Sequence, residues 1–377
     1  MPGLLPHIDP DGLQEFSVVF TDRSLNHMSA RFQGAMRDIS ATLREVYNAH
    51  AVALVPGGGT YAMEAVARQF GAGAHALVIR NGWFSFRWSQ IFDMGGFARE
   101  VTVAMARPTG NAPRSPFAPA PIDEVVATIR KARPDAVFAP HVETSAGMIL
   151  PDDYLKAVAD AAHEVGAIFV LDCIASGAVW VDMGAIGVDV LISAPQKGWS
   201  ASPSAGLVML SERGAERLAA TTSNSFALDL KKWRAIMEAY EKGGHAYHAT
   251  MPTDALIGFR DAMMETKAMG FAAAKEAQWA LGRAVREMLE AKGITSVAAR
   301  GFQAPGVVVS YTDDAEVQTG KKFLGQGLQI AAGVPLQVGE PDWFRTFRIG
   351  LFGLDKLKDV EGTVARLRPA VEAVFPG

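Results

Sequence analysis

Cysteine is almost absent from this 377-residue chain, which has Cys173 alone. One thiol cannot build a disulfide framework or a cysteine-rich zinc site, which agrees with a reducing compartment. An excess of either charge is also missing, since 36 Lys+Arg against 40 Asp+Glu give a formal charge of -4. So balanced a surface carries no electrostatic footprint for nucleic acid or an anionic membrane. Long apolar runs are lacking too. Those present are strand-sized and broken by Gly, Pro or charge, well short of the ~20 residues of a membrane-spanning helix. The opening stretch from Met1 to Phe16 has acids and prolines in place of a basic and then apolar leader, so no secretory signal is expected. Internal repeats and long low-complexity tracts are not found. These absences lead to the expectation of a soluble, cytoplasmic protein.

What the chain does contain is enzyme-like. Hydrophobic residues make up 49% of it, and its length suits two domains or a large one with an appendage. Apolar runs at 51–55, 76–80, 136–140, 167–172, 188–193 and 206–210 have the continuity of strands buried on both faces. Amphipathic stretches at 29–47, 122–132, 153–165 and 255–269 separate or follow them. Strand–helix alternation predicts an α/β fold with a mainly parallel mixed sheet flanked by helices. After a charged helix at 271–292 the pattern changes. Strands are expected at 306–311, 328–331 and 346–351, with a last helix at 357–375, forming a smaller C-terminal α+β domain. The organisation read from this is an N-terminal segment 1–20, a large domain 21–270 and a small domain 271–377. The Pro- and Gly-rich stretch 108–121 reads as a surface loop.

Ligands of such sheets bind beyond the carboxyl ends of the strands, so the residues there carry the functional argument. After the first strand, Val55-Pro-Gly-Gly-Gly-Thr60 opens a helix. The N–H groups of Gly58, Gly59 and Thr60, with the positive helix end behind them, suit a phosphate. Gly57-x-Gly59-x-x-Ala62 also satisfies a dinucleotide fingerprint, but the next strand ends in Arg80-Asn81-Gly82 without the acid that holds a ribose. A nicotinamide-dependent oxidoreductase is therefore the rival from another class. No lysine follows the glycines, which excludes an ATPase P-loop. The strand ending at Ser193 runs into Lys197, next to an unobstructed Gly198, where partial desolvation would prepare the amine for an imine with a carbonyl. One strand–helix–strand step earlier, Asp172 ends its own strand, where a carboxylate can pair with a protonated pyridine nitrogen. Taken singly, these features also fit a tight turn, a surface lysine and a helix cap. Together, a phosphate cradle, a pyridinium partner and an imine-forming amine meet the needs of pyridoxal 5'-phosphate.

With these motifs the chain resembles the class V aminotransferases of fold type I, and within them the alanine–glyoxylate and serine–pyruvate aminotransferase group, from about Ser29 to Leu367. The resemblance implies phosphate contacts from Gly58, Gly59, Thr60 and Gln196, and a Schiff base at Lys197. In Asn81-Gly-Trp-Phe-Ser-Phe-Arg87 it implies that Phe84 stacks on the cofactor ring, with Trp83 as the alternative. From His141-Val-Glu-Thr-Ser-Ala-Gly147 it assigns Thr144 to the phenolic oxygen. Asp172 and Ser176 match the family's Asp-x-x-x-Ser. Tyr247 and Thr250 match a segment that crosses to the other subunit's cofactor, which implies a homodimer. Arg348, in Phe347-Arg-Ile-Gly-Leu-Phe-Gly353, matches the arginine that grips the substrate carboxylate, a role suited to a planar guanidinium.

The implied reaction is a ping-pong transfer of an amino group from a small amino acid, such as alanine or serine, to glyoxylate or pyruvate. A lyase of the same fold is the alternative within the cofactor class. A desulfurase fits poorly because Cys173 directly follows Asp172. The segment Phe20–Met28 replaces the family's Gly-Pro-Gly type opening and leaves the substrate open; Arg23 there is either a second receptor for an acidic group or a structural ion-pair partner. His141 with Glu143, and His245 with His248, have metal-like spacing but no further ligand nearby, and the three histidines are read as packing or hydrogen-bonding residues.

Overall fold

The computed structural model describes residues 8–376. Seven strands form a mixed sheet in the order 51–56, 205–210, 190–193, 168–172, 136–140, 75–80, 100–105. Ala205–Leu210 runs antiparallel to both its neighbours, and the remaining pairings are parallel. The carboxyl ends of the strands 51–56, 75–80, 136–140, 168–172 and 190–193 therefore meet at one edge. Their side chains are buried on both faces, as in Ile168–Asp172 and Ala205–Leu210. Each fully buried Val, Leu or Ile contributes about 1.5–3 kcal/mol to the hydrophobic stabilisation.

Most of the helices read from the sequence form close to their expected places. Ala30–Tyr47 starts at Ser29, whose hydroxyl accepts the N–H of Phe32 at 3.1 Å, and stops at Asn48 in the left-handed region. This cap satisfies one of the donors that every helix start leaves open. Ile122–Ala132, Asp152–Glu164, Thr253–Met269 and Phe271–Glu290 fall within two residues of expectation. A smaller three-stranded sheet, in the order 307–311, 346–350, 331–332, follows the last of these. Val360–Val374 packs on Phe271–Glu290.

Several expectations need correction. The strand expected at 328–331 is the two-residue strand Ala331–Ala332, paired with Arg348 and Phe347. The last helix is two, Leu354–Lys358 and Val360–Val374. Asp359 breaks the run and caps the second by accepting the N–H of Gly362 at 2.9 Å. The loop 108–121 contributes to a short ladder in which Arg107–Pro108 pairs with Phe117–Ala118, and the Phe117 side chain is buried. The edge strand Glu100–Met105 and the helices Trp83–Gly95 and Leu230–Glu241 went unread. The first seven residues of the N-terminal segment 1–20 lie outside the described residues. Beyond them, Leu13, Phe16 and Val18 are exposed on irregular chain.

Candidate active site

The convergence of strand ends and the small sheet encloses a cavity of about 380 Å³. Gly59, Thr60, Phe84, Thr144, Asp172, Gln196, Lys197 and Arg348 line it, together with Arg87 and Phe352. Arg348 reaches it from the small sheet, on strand Thr346–Gly350, and the others named in the first group come from the large sheet's carboxyl edge.

Each side chain is held for a local reason. Gly58 is the N-cap of Gly59–Phe70 and has no side chain to cap with, so the helix's first N–H groups remain for a ligand. Asp172 is the last residue of its strand and is buried; its Oδ1 accepts the N–H of Ile174 at 2.9 Å. Burial drives its carboxyl up to about 7, with Glu143 adding to the rise, while the Ile174 N–H and Arg87 oppose it. Lys197 lies in the turn after Val190–Ser193 with Nζ 5.1 Å from the centre of the Phe352 ring. Burial lowers its amine below the ordinary lysine value, and Arg348 and Arg87 lower it further. Gly198 must be glycine, because a Cβ there would run into the backbone carbonyl of Gly177. Arg348 Nε donates to the Ala332 carbonyl at 2.8 Å, which aims the guanidinium.

Phe84 stands in the first turn of Trp83–Gly95, a helix whose start is fixed by Glu143. This fully buried carboxylate accepts the N–H of Phe84 at 3.2 Å, both the N–H and Oγ of Ser85 at 2.8 and 2.7 Å, and the N–H and Oγ of Ser145 at 3.1 and 2.7 Å. A carboxylate saturated with donors at a helix N-terminus is a favourable buried charge.

Four expected site residues stand apart from the cavity wall. Gly58 caps the helix behind it. Ser176 is buried with its Oγ 2.7 Å from His141 Nδ1. Burial pulls the His141 imidazole down to about 3, with Lys275 lowering it further, so it is neutral. Tyr247 and Thr250 bond each other at 3.0 Å, and Tyr247 sits beside His27. Arg23 is exposed and does not line the cavity. His248 bonds the Phe226 carbonyl at 2.8 Å. Sequence reasoning missed Arg87 and Glu143. Arg87 was signalled by its position three residues after Phe84, on the same helix face; Glu143 has no such local sign.

The cavity fits a phosphorylated pyridine aldehyde. Open helix N–H groups beside Thr60 suit its phosphate, a buried carboxyl suits a protonated ring nitrogen, and a desolvated amine suits the aldehyde. The buried Oε1 of Gln196 has no protein partner, a polar atom left for a ligand.

Comparison with known proteins agrees with this geometry. The family described as Aminotransferase class-V matches residues 13–341. A 2-aminoethylphosphonate–pyruvate transaminase of Burkholderia lata is 28% identical over 84% of this chain and 82% of its own length. A protein of Synechococcus described as a soluble hydrogenase small subunit is 27% identical over 93% of this chain and 87% of its own. Among solved structures, alanine–glyoxylate aminotransferase from Nostoc superposes with a TM-score of 0.76 at 24% identity, covering 93% of this chain and 89% of the other.

Proposed function

This chain belongs to the class V aminotransferases and is a pyridoxal 5'-phosphate-dependent transaminase, and from that premise we propose that it moves the amino group of a small amino acid, alanine, serine or similar, to glyoxylate or pyruvate by a ping-pong mechanism. The observation that carries the proposal is the meeting of Lys197, Asp172 and Arg348 in one cavity. They come from the turn after one strand, the end of another, and the small sheet.

When bound, the cofactor supplies an aldehyde for the amine and a ring that withdraws electrons from the substrate's α-carbon. Arg348 binds the donor's carboxylate through the nitrogens that its bond to Ala332 leaves free. Lys197 would tether the cofactor through Nζ, and once a donor amine had taken its place the freed amine would be the base for the proton on the donor's α-carbon. Burial and the neighbouring arginines lower its pKa, which favours the free amine that a base must present. Asp172 would pass its proton to the ring nitrogen and, as a carboxylate, accept the resulting N–H, which would keep the ring cationic. Phe84 would pack on the ring, with Trp83 the alternative, and Thr144 would take the phenolic oxygen; Gly58, Gly59, Thr60 and Gln196 would serve the phosphate side, and Ser176, bonded to His141, would belong to the cofactor loop that follows Asp172.

We read the working unit as a cytoplasmic homodimer in which Tyr247 and Thr250 act on the partner's cofactor, with 21–270 as the cofactor-binding domain and 271–377 as the smaller one. Among the described residues, no helix is long and apolar enough to cross a membrane. With the family shown, the glycine turn is no longer read as a dinucleotide fingerprint.

The test is a matrix of donors (alanine, serine, 2-aminoethylphosphonate, aspartate) against glyoxylate and pyruvate, with product amino acid and ammonia both measured. Alanine or serine turning over without ammonia supports the proposal. Release of ammonia with no acceptor requirement would move the chain to the lyase reading.

A further inference from the structure

Three cationic side chains line the cavity, Arg87, Lys197 and Arg348, and the transaminase reading, on which this inference rests, uses two of them. Arg87 is left over. Its guanidinium carbon lies 4.6 Å from the centre of the Phe84 ring, while that of Arg348 lies 5.6 Å from it. The two arginines therefore share one aromatic ring but are tied to different elements of the site. Arg348 Nε is bonded to Ala332 of the small sheet. Arg87 Nη1 donates to Thr60 Oγ1 at 3.2 Å, at the start of the helix Gly59–Phe70.

That anchor decides what Arg87 faces. Thr60 still has its own hydroxyl proton to give, and the helix start behind it has N–H groups and about half a positive charge to offer. An anion that accepts the Thr60 proton comes within reach of the same guanidinium. A phosphate dianion there needs more than the helix dipole to balance it, and Arg87 supplies the missing full charge. We propose that Arg87 is the counter-charge of the cofactor phosphate and not a receptor for a second substrate anion. The consequence is a substrate class. With Arg87 engaged by the phosphate and Lys197 by the aldehyde, Arg348 is, among the described residues, the one cavity cation left to the donor. Donors with a single anionic group are accepted, and a second carboxylate finds no partner and loses its hydration. Arg87 also lowers both the Lys197 amine and the Asp172 carboxyl from its place across the cavity.

The experiment compares wild type, Arg87→Gln and Arg87→Lys, each stripped of cofactor and titrated with pyridoxal phosphate or with pyridoxal, which lacks the phosphate. Losing a charge-assisted hydrogen bond is expected to weaken pyridoxal phosphate binding by about 10–100-fold in Arg87→Gln, with pyridoxal changed less than about twofold and partial recovery in Arg87→Lys. At saturating cofactor, the ratio of half-reaction rates with alanine and aspartate should be the same in all three. Equal losses for both aldehydes, or unchanged phosphate-ester affinity, would overturn the inference, as would a selective loss of aspartate. Should Arg87→Gln not fold, the lysine variant decides by the same two aldehydes. Wild type that takes up neither aldehyde would instead defeat the transaminase reading itself.

Discussion

Replacing Asp172 with Asn should stabilise the cofactor-free protein while crippling the enzyme. In the fold, burial holds this carboxyl up at about 7, whereas an unfolded aspartate titrates near ~3.9. A group raised in the folded state contributes its full stability below the unfolded value and loses it as pH rises through the folded one. Wild type therefore forfeits about 1–2 kcal/mol at about pH 5 and about 4 kcal/mol at about pH 8 relative to acid, through the linkage of proton binding to folding. Asparagine keeps the shape and the acceptor for the Ile174 N–H but does not titrate. The advantage of Asp172→Asn should thus widen by about 2–3 kcal/mol over that interval. Urea unfolding of both cofactor-free proteins from about pH 5 to pH 8 reads it, and taking the difference cancels all other titrating groups. In the loaded enzyme the same change removes the charge that holds the ring proton, so kcat falls. A gap that stays constant with pH would refute the claim that this carboxyl is ionised at a cost in the empty fold.

Other substitutions follow from the same geometry. Arg348→Gln is expected to lower kcat/KM for the donor about 10–100-fold, the worth of a charged hydrogen-bonded pair, with pyridoxal phosphate affinity nearly unchanged by titration. Glu143→Gln places amide hydrogens among five donors and should cost about 3–5 kcal/mol in urea unfolding, with weaker cofactor binding because Phe84 and the Thr144 loop lose their common anchor. Gly198→Ala drives a methyl into the Gly177 carbonyl; it should shift Lys197 and slow the appearance of the cofactor's visible band in stopped-flow mixing, by more than Ser200→Ala does.

The legible parts of this protein were those set by local rules. Buried strands announce themselves as continuous apolar runs, and Lys197 and Asp172 stand out because chemistry-bearing residues at strand ends are exposed to reading by their position. Glu100–Met105 escaped because it is a half-exposed edge strand with alternating character and charge at its start. Trp83–Gly95 escaped because its aromatic residues mask helical periodicity. Glu143 was invisible for a different reason: its main partner, Ser85, is 58 residues away, and only the meeting of two strand ends makes the contact. Arg87 was in view within the motif around Phe84, yet the role proposed for it depends on Thr60, brought near by a separate helix.

The most direct test of the account is to reduce the yellow holoenzyme with borohydride and map the cofactor-bearing peptide by mass spectrometry. A single modified lysine, Lys197, is expected, with loss of both the visible band and the labelling in Lys197→Ala. Label on any other lysine, or undiminished turnover by Lys197→Ala, would contradict it.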